Sequence, residues 1–361
     1  MNIRFVTTIR KRSFFLFFGP GCLVLLALLL VAPGTTLRAA EDGPQAADLV
    51  TDNQPIDIST AKYQDLLREL EEVHHFTTQQ LTGLFTGLRI DRKVLQLMDR
   101  QGEAKPYYQY RPLFITPMAI AMGKQSLVLY QTLLDRVEKE YGVDREVIVA
   151  IWGIETRFGS NQGNFELIRT LNTLFAAYPR RSDFFRNELI NFLILCRDNK
   201  IDPQSVKGSY AGAFGQAQFM PSSFNEYAVD FDGDNRRDLI HSLPDIFASI
   251  ANYLSKFGWT LDGPVYADIG TTLKSAALTT AYNTGRKGLV DWRTLAETQH
   301  IVLPRPLHEG QLTIVGLELP PQDKGAMRFV AGYPNFQAIT EYNHSDKYAM
   351  AVTELAEAFK N

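Results

Sequence analysis

The stretch VIVAIWGIETRFGSNQGNFE, residues 147–166, decides how this chain is read. Asp144 precedes it as a candidate cap, and the pattern predicts a helix over 145–157. On that helix Val147, Ile148, Ile151 and Glu155, spaced i, i+1, i+4 and i+8, share one face. A carboxylate therefore lies on an apolar stripe. Desolvation disfavours its charged form and raises its pKa, so it can deliver a proton near neutral pH. Gly159 and Gly163 are expected to break the helix beside an open cleft. The plainer alternative is a buried Glu paired with Arg157 or Arg169 and serving only structure.

A second stretch bears on that choice: GSYAGAFGQAQFMPSSFNEYAVDFDGD, residues 208–234. Small residues at 208, 209, 211, 212, 213 and 215 let backbone approach a ligand closely. Ser209, Gln216 and Gln218 offer neutral donors and acceptors suited to sugar hydroxyls and N-acetyl groups, and Phe214, Phe219 and Tyr227 offer rings to stack on sugar faces. A tightly packed turn is the alternative. Pro221-Ser222-Ser223 reads as a helix start.

Working outward, helical periodicity recurs from about 58 (Tyr63, Leu66, Leu67, Leu70), over 90–99, as one long helix over 116–141, over 183–198 behind a Ser182 cap, over 245–257 and over 346–359. Phe184, Phe185, Leu189, Phe192, Leu193 and Cys196 form the expected inner face of the 183–198 helix. Between 262 and 340 the chain is richer in Gly, Pro and β-branched residues, and 311–319 and 326–333 read as short strands. The fold class is mainly α, with some β. Residues 58–261 and 341–361 form a helical catalytic region, and 262–340 a small β-containing insertion before the last helix.

The first forty residues carry five basic groups and no acid. Arg10-Lys11-Arg12 precedes an apolar run from Phe14 to Ala32, then small residues, which reads as an export signal cleaved near 40. The run of 19 residues is near the ~20 needed to span a bilayer, so an uncleaved anchor attached to the membrane is the alternative. Either way the body is exported, to the periplasm or cell envelope. Residues 41–57 are polar and read as a flexible lead-in. Without the first forty residues, 32 basic groups face 40 acidic ones, a formal charge of −8. That balance argues against nucleic acid as a partner. Cys196 is the only cysteine in the body, so no disulfide forms there.

DFDGDNRRD, residues 230–238, places Asp230, Asp232 and Asp234 at EF-hand positions 1, 3 and 5 and the Arg236 carbonyl at 7. Position 6 is Asn235 and position 12 is His241, where the pattern wants Gly and Glu. A solvated acidic turn is the alternative to a calcium loop.

Six ordered motifs together resemble the lytic murein transglycosylase B family of lysozyme-like peptidoglycan lyases: KPYYQYRPLFI (105–115), IWGIETRFG (151–159), YPRRSDFF (178–185), the 208–234 stretch, ASIANYL (248–254) and EYNHSDKYAMAV (341–352). The resemblance implies a lysozyme-like helical core acting on peptidoglycan glycan strands, with Glu155 as its catalytic acid/base. It also implies sugar-binding roles for Tyr110, Arg180, Arg181, Ser209, Gln218, Tyr253, Tyr342 and Asn343, and Asp245 as the closing ligand of a structural, non-catalytic calcium site. Tyr342-Asn343 matches the family's Tyr-Asn pair better than the similar AYNTG at 281–285, which lies in the insertion. No cofactor is needed for catalysis, and a monomer is expected. Most glycosidases use two carboxylates. The sequence aims no second one at the cleft, although Glu166 and Glu188 lie near in sequence. A lysozyme-type hydrolase and a non-catalytic wall-binding module are the rival readings.

Overall fold

The computed structural model describes residues 45–100, 105–308, 310–323 and 326–361. The segment read as an export signal, within residues 1–40, lies outside them. The chain begins with short helices α1 (Ala61–Glu72), α2 (Thr78–Phe85), α3 (Arg92–Asp99) and α4 (Tyr107–Tyr110). There follow α5 (Pro117–Leu129), α6 (Gln131–Tyr141), α7 (Arg145–Thr156), β1 (Phe165–Glu166), α8 (Leu167–Ala177), α9 (Ser182–Asp198), β2 (Lys207–Gly208), α10 (Pro221–Tyr227) and α11 (Leu243–Lys256). Next come β3 (Tyr266–Gly270), α12 (Ala276–Thr284), β4 (Leu289–Asp291), α13 (Trp292–Gln299), β5 (Gln311–Glu318) and β6 (Met327–Gly332). Two helices close the chain, α14 (Pro334–Tyr342) and α15 (Asp346–Lys360). Among the described residues no single helix is long and apolar enough to cross a membrane.

The centre of the molecule is α7. Every residue from Val147 to Gly153 is buried, and α5, α6, α11 and α15 pack around it. Gly123 lets α5 approach closely: a Cβ there would sit 2.0 Å from the Phe359 ring of α15. The strands form two antiparallel sheets. β1 pairs with β2, and the other four run in the order β3-β6-β5-β4, with Thr313 opposite Gly332 and Glu318 opposite Met327. This second sheet buries its own cluster around Leu278, Leu295, Leu312, Ile314 and Tyr333.

Four local expectations need correction. The helix expected over 116–141 is two, broken at Tyr130, whose φ/ψ of −106/20 is not helical. Asp144 precedes α7 but does not cap it with its side chain; its carboxylate accepts from Trp259 Nε1 at 2.9 Å. Ser182 is already inside α9, its hydroxyl donates to the Phe175 carbonyl, and Phe184 on the expected inner face is only half-buried. The lead-in is packed from residue 45 onward. Ala46 and Ala47 are buried against α3, Ala47 N donates to Asp99, and the backbone of Asn53, Gln54 and Ile56 pairs with Leu88 and Ile90.

The four-stranded sheet is clasped to α15 by charge. Glu354 accepts from Arg111 and, at 2.9 Å, from Arg328 Nη1; Arg328 also makes a bidentate pair with Asp268. Tyr266 OH donates to Glu357, and Lys347 Nζ lies 2.8 Å from Glu318. The Glu354 side chain is 11% exposed and joins two guanidinium groups; removing it costs both charged hydrogen bonds, although Arg111 is exposed and Arg328 keeps Asp268. Glu354→Ala is expected to cost about 2 kcal/mol of stability and to lower the melting temperature by several degrees in calorimetry.

Candidate active site

Glu155 stands in the last turn of α7. The helix ends one residue later, with Arg157 (φ 51) and Phe158 (φ 57) in the left-handed region ahead of Gly159 (φ 79). The break therefore comes two residues before the glycine expected to cause it. Bulky side chains pay for that conformation. Thr156 steadies it: its hydroxyl accepts from Gly159 N and donates within reach of the Trp152 and Gln216 carbonyls. Gly163 (φ +94) has no room for a side chain, since a Cβ would lie 2.1 Å from the Gly208 carbonyl oxygen. The loop after α7 is thus laid directly against the 208–220 loop.

Burial pushes the Glu155 carboxyl up to about 8, and the one opposing influence is a hydrogen bond from Tyr348 OH to its Oε1 at 2.6 Å. The carbonyl end of α7 acts in the same direction as burial, because the C-terminal end of a helix disfavours negative charge. Neither arginine of the structural alternative reaches it. Arg169 is spent on the Arg89 and Ile90 carbonyls and Asn53, and Arg157 is exposed. Tyr110, Tyr342 and Tyr348 surround the carboxyl; each is held protonated chiefly by burial and next by the Glu155 charge. No other carboxylate contributes to the Glu155 shift. Glu188 is buried elsewhere, accepting from Ser222 N and Oγ, and Glu166 is exposed in β1.

The sugar-site candidates fall into two groups. Gln218, Tyr253, Tyr342 and Asn343 cluster around the end of α14 and the 208–220 loop, and of these Tyr342 feels the Glu155 charge. Tyr342 OH donates to the Ala217 carbonyl at 2.6 Å, and its ring lies 4.9 Å from Tyr253 and 5.6 Å from Phe219. Tyr253 is buried, with its hydroxyl on the Glu341 carbonyl at 2.8 Å. Gln218, held at φ +49, donates through Nε2 to the Gln162 and Gly215 carbonyls, while its Oε1 is buried without a partner. Asn343 Oδ1 is buried and unpartnered too. A buried acceptor left unmade costs free energy, and a ligand rich in N–H and O–H groups would recover it. Ser209 is buried in the same loop, its Oγ accepting from Ala213 N. The second group lies at the entry to α9. Arg180 is exposed; Arg181 stacks 4.0 Å over Phe184 and leaves one buried Nη2 unpartnered.

Gln216 does not belong with these. Its Oε1 accepts from Trp152 Nε1 at 2.8 Å and its Nε2 donates to the Ile240 carbonyl, so both ends of the amide are consumed inside the fold. Phe214 is also buried, against Phe192 and Phe224. Tyr282 of the AYNTG stretch packs on Phe329 of the sheet. Tyr348, the direct partner of Glu155, was not singled out from the sequence. Its signal was a Tyr on the apolar side of the last helix, whose buried hydroxyl needs a partner.

In the 230–245 loop, ligand oxygens of Asp230, Asp232 and Asp245 lie within 4.8 Å of one another. Asp234 turns to the Arg236 amide, and Asn235 takes φ +66. Burial first, and then the charge of Asp232, raise the Asp245 pKa against opposing backbone hydrogen bonds. Three carboxylates converging this closely repel each other unless a cation joins them. All-oxygen donors suit a hard cation such as calcium.

Residues 59–357 match the model of the transglycosylase SLT domain family. Over 313 residues the chain is 35% identical to the membrane-bound lytic murein transglycosylase B of Escherichia coli, covering 82% of this chain and 81% of that one. The lytic transglycosylase Slt35 of Escherichia coli, solved in complex with calcium, superposes with a TM-score of 0.74 at 35% identity, over 85% of this chain and 96% of that one. SltB3 of Pseudomonas aeruginosa, solved with NAG-anhNAM-pentapeptide, gives a TM-score of 0.70 at 31% identity, over 83% and 79%.

Carboxyl-selective NMR titration of Glu155 is expected to show a midpoint near 8. Tyr348→Phe removes the one hydrogen bond that lowers it, so the midpoint should move upward. A downward shift would refute this account of the site.

Proposed function

The chain belongs to the transglycosylase SLT domain family, and from that premise we propose that it is a peptidoglycan lytic transglycosylase with Glu155 as its single acid/base. It cleaves the β-1,4 bond between N-acetylmuramic acid and N-acetylglucosamine and leaves 1,6-anhydromuramyl ends. The observation that carries the reading is the Glu155 carboxyl at the end of α7, held by Tyr348 OH at 2.6 Å with no cation paired to it among the described residues, where burial raises its pKa.

The steps balance without water. Glu155 gives its proton to the glycosidic oxygen as the bond from that oxygen to the muramyl C1 breaks, and the electron pair leaves with the oxygen. The N-acetyl oxygen assists at C1, as in substrate-assisted glycosidases. The muramyl C6 hydroxyl then attacks C1 and returns its proton to Glu155. Attack from within the same sugar has a large effective-concentration advantage over water. A lysozyme-type hydrolase on the same fold would want a second carboxylate to activate water, and none acts on Glu155. Asn343 Oδ1 and Gln218 Oε1 are the acceptors offered to sugar hydroxyls and amides, Ser209 the donor, and Arg180 and Arg181 the clamp for a lactyl or stem-peptide carboxylate. The enzyme works in the cell envelope, after export.

Asp230, Asp232 and Asp245 would hold a structural calcium ion, which would neutralise the loop and tie it to the start of α11. No step of the reaction runs through it.

Mass spectrometry of digested peptidoglycan should find anhydromuropeptides from the wild type. Glu155→Gln should lose at least about a hundredfold in rate while still binding glycan. Reducing ends in the wild-type digest would mean a hydrolase. Because the first step needs the protonated carboxyl, the rate should fall as pH rises through about 8. For the metal, saturating calcium should raise the melting temperature by a few degrees and chelator should reverse it, following about 2.7 kcal/mol at a hundredfold excess over Kd. Asp245→Asn should abolish the response; an equal response in that variant would exclude the site.

A further inference from the structure

Arg286 lies in a short 3-10 turn, Gly285–Lys287, between α12 and β4, well inside the sheet-bearing stretch. Its side chain leaves that stretch. Nη1 donates to the Thr340 carbonyl at 3.1 Å, lies 2.9 Å from His344 Nδ1, and is 3.7 Å from Glu341 Oε1. These three partners bracket Tyr342 and Asn343.

The reason this matters is the way α14 ends. Asn343 leaves the helix with φ −142 and ψ 119, and its N–H is the last to bond back, to the Ile339 carbonyl. The carbonyls of Thr340 and Glu341 are therefore beyond the reach of the helix's own N–H groups. Side chains meet both, and Thr340 has two of them: His344 Nδ1, just past the helix end, lies 2.9 Å from its carbonyl. Tyr253 OH, from α11, takes Glu341. Arg286, from the sheet-bearing stretch, reaches both Thr340 and the His344 ring that shares its carbonyl, and a cation at a helix C-terminus is also favoured by the helix dipole. Together they fix where the helix stops, and so where the Tyr342 ring and the unpartnered Asn343 Oδ1 point.

We propose that Arg286 is a positioning residue: through the end of α14 it sets the Tyr342-Asn343 pair, and this gives the sheet-bearing stretch a part in glycan binding. The proposal rests on the transglycosylase reading for its substrate. Arg286 touches no reacting atom, so its loss should weaken substrate binding and leave the chemical step alone.

The test compares Arg286→Ala and Arg286→Lys. Affinity for soluble, uncrosslinked glycan strands is read by calorimetry in the Glu155→Gln background, and kcat and KM in the active one, with thermal melts of every variant. Arg286→Ala is expected to weaken binding and raise KM by about tenfold, the scale of one hydrogen bond to a charged group, with kcat and melting temperature little changed. Lys keeps a cation at the helix end and should restore most of the loss. Unchanged binding and KM in Arg286→Ala would overturn the proposal. So would a fall in kcat and melting temperature with no loss of affinity. Failure of the underlying reading is seen separately, as no anhydromuropeptides from the chain with Arg286 intact.

Discussion

The desolvation of one carboxyl at the end of a central helix, buried through its middle, is the constraint from which the rest of the site follows. α7 is buried from Val147 to Gly153, with helices on every side. A Glu in its last turn is largely desolvated and, among the described residues, has no cation paired with it, so its pKa rises. The groups around it are neutral hydroxyls that can donate to it or to a ligand without binding it as an ion pair. A paired Glu in the same place would be structural. Its lack of an Arg partner is what separates the two readings.

That arrangement is costly, and the fold offsets the cost locally. Consecutive left-handed residues after Thr156 are strained, and the Thr156 hydroxyl, Gln216 and the Gly163–Gly208 contact restrain them. Buried atoms left unsatisfied at Gln218, Asn343 and Arg181 add to the cost. Each of them belongs to a residue matched to a sugar-binding position by motif alone.

Legibility followed the strength of the local pattern. α9, α11 and α15 carry one-sided apolar spacing and lie close to the limits that spacing predicts. The break at Tyr130 was not, because neither Gly nor Pro marks it and both flanking segments favour helix. Residues 45–57 look like a tether because their hydrogen bonds run to Leu88, Ile90, Arg92 and Asp99, a pairing no local window contains. Asp144 and Ser182 are good capping types, but each found a tertiary partner instead.

By itself the sequence determined that the chain is mainly helical, that Glu155 lies on an apolar face, and which ordered motifs it shares with the transglycosylase family. Those properties are carried by side-chain chemistry and spacing along the chain. Tertiary structure alone decided that Gln216 is spent inside the fold while Gln218 keeps a free acceptor, that Tyr348 reaches Glu155, and that Arg286 closes the end of α14. Two glutamines two residues apart are chemically alike. Which one is consumed depends on Trp152 and Ile240, brought there by packing, and no local pattern encodes that distance.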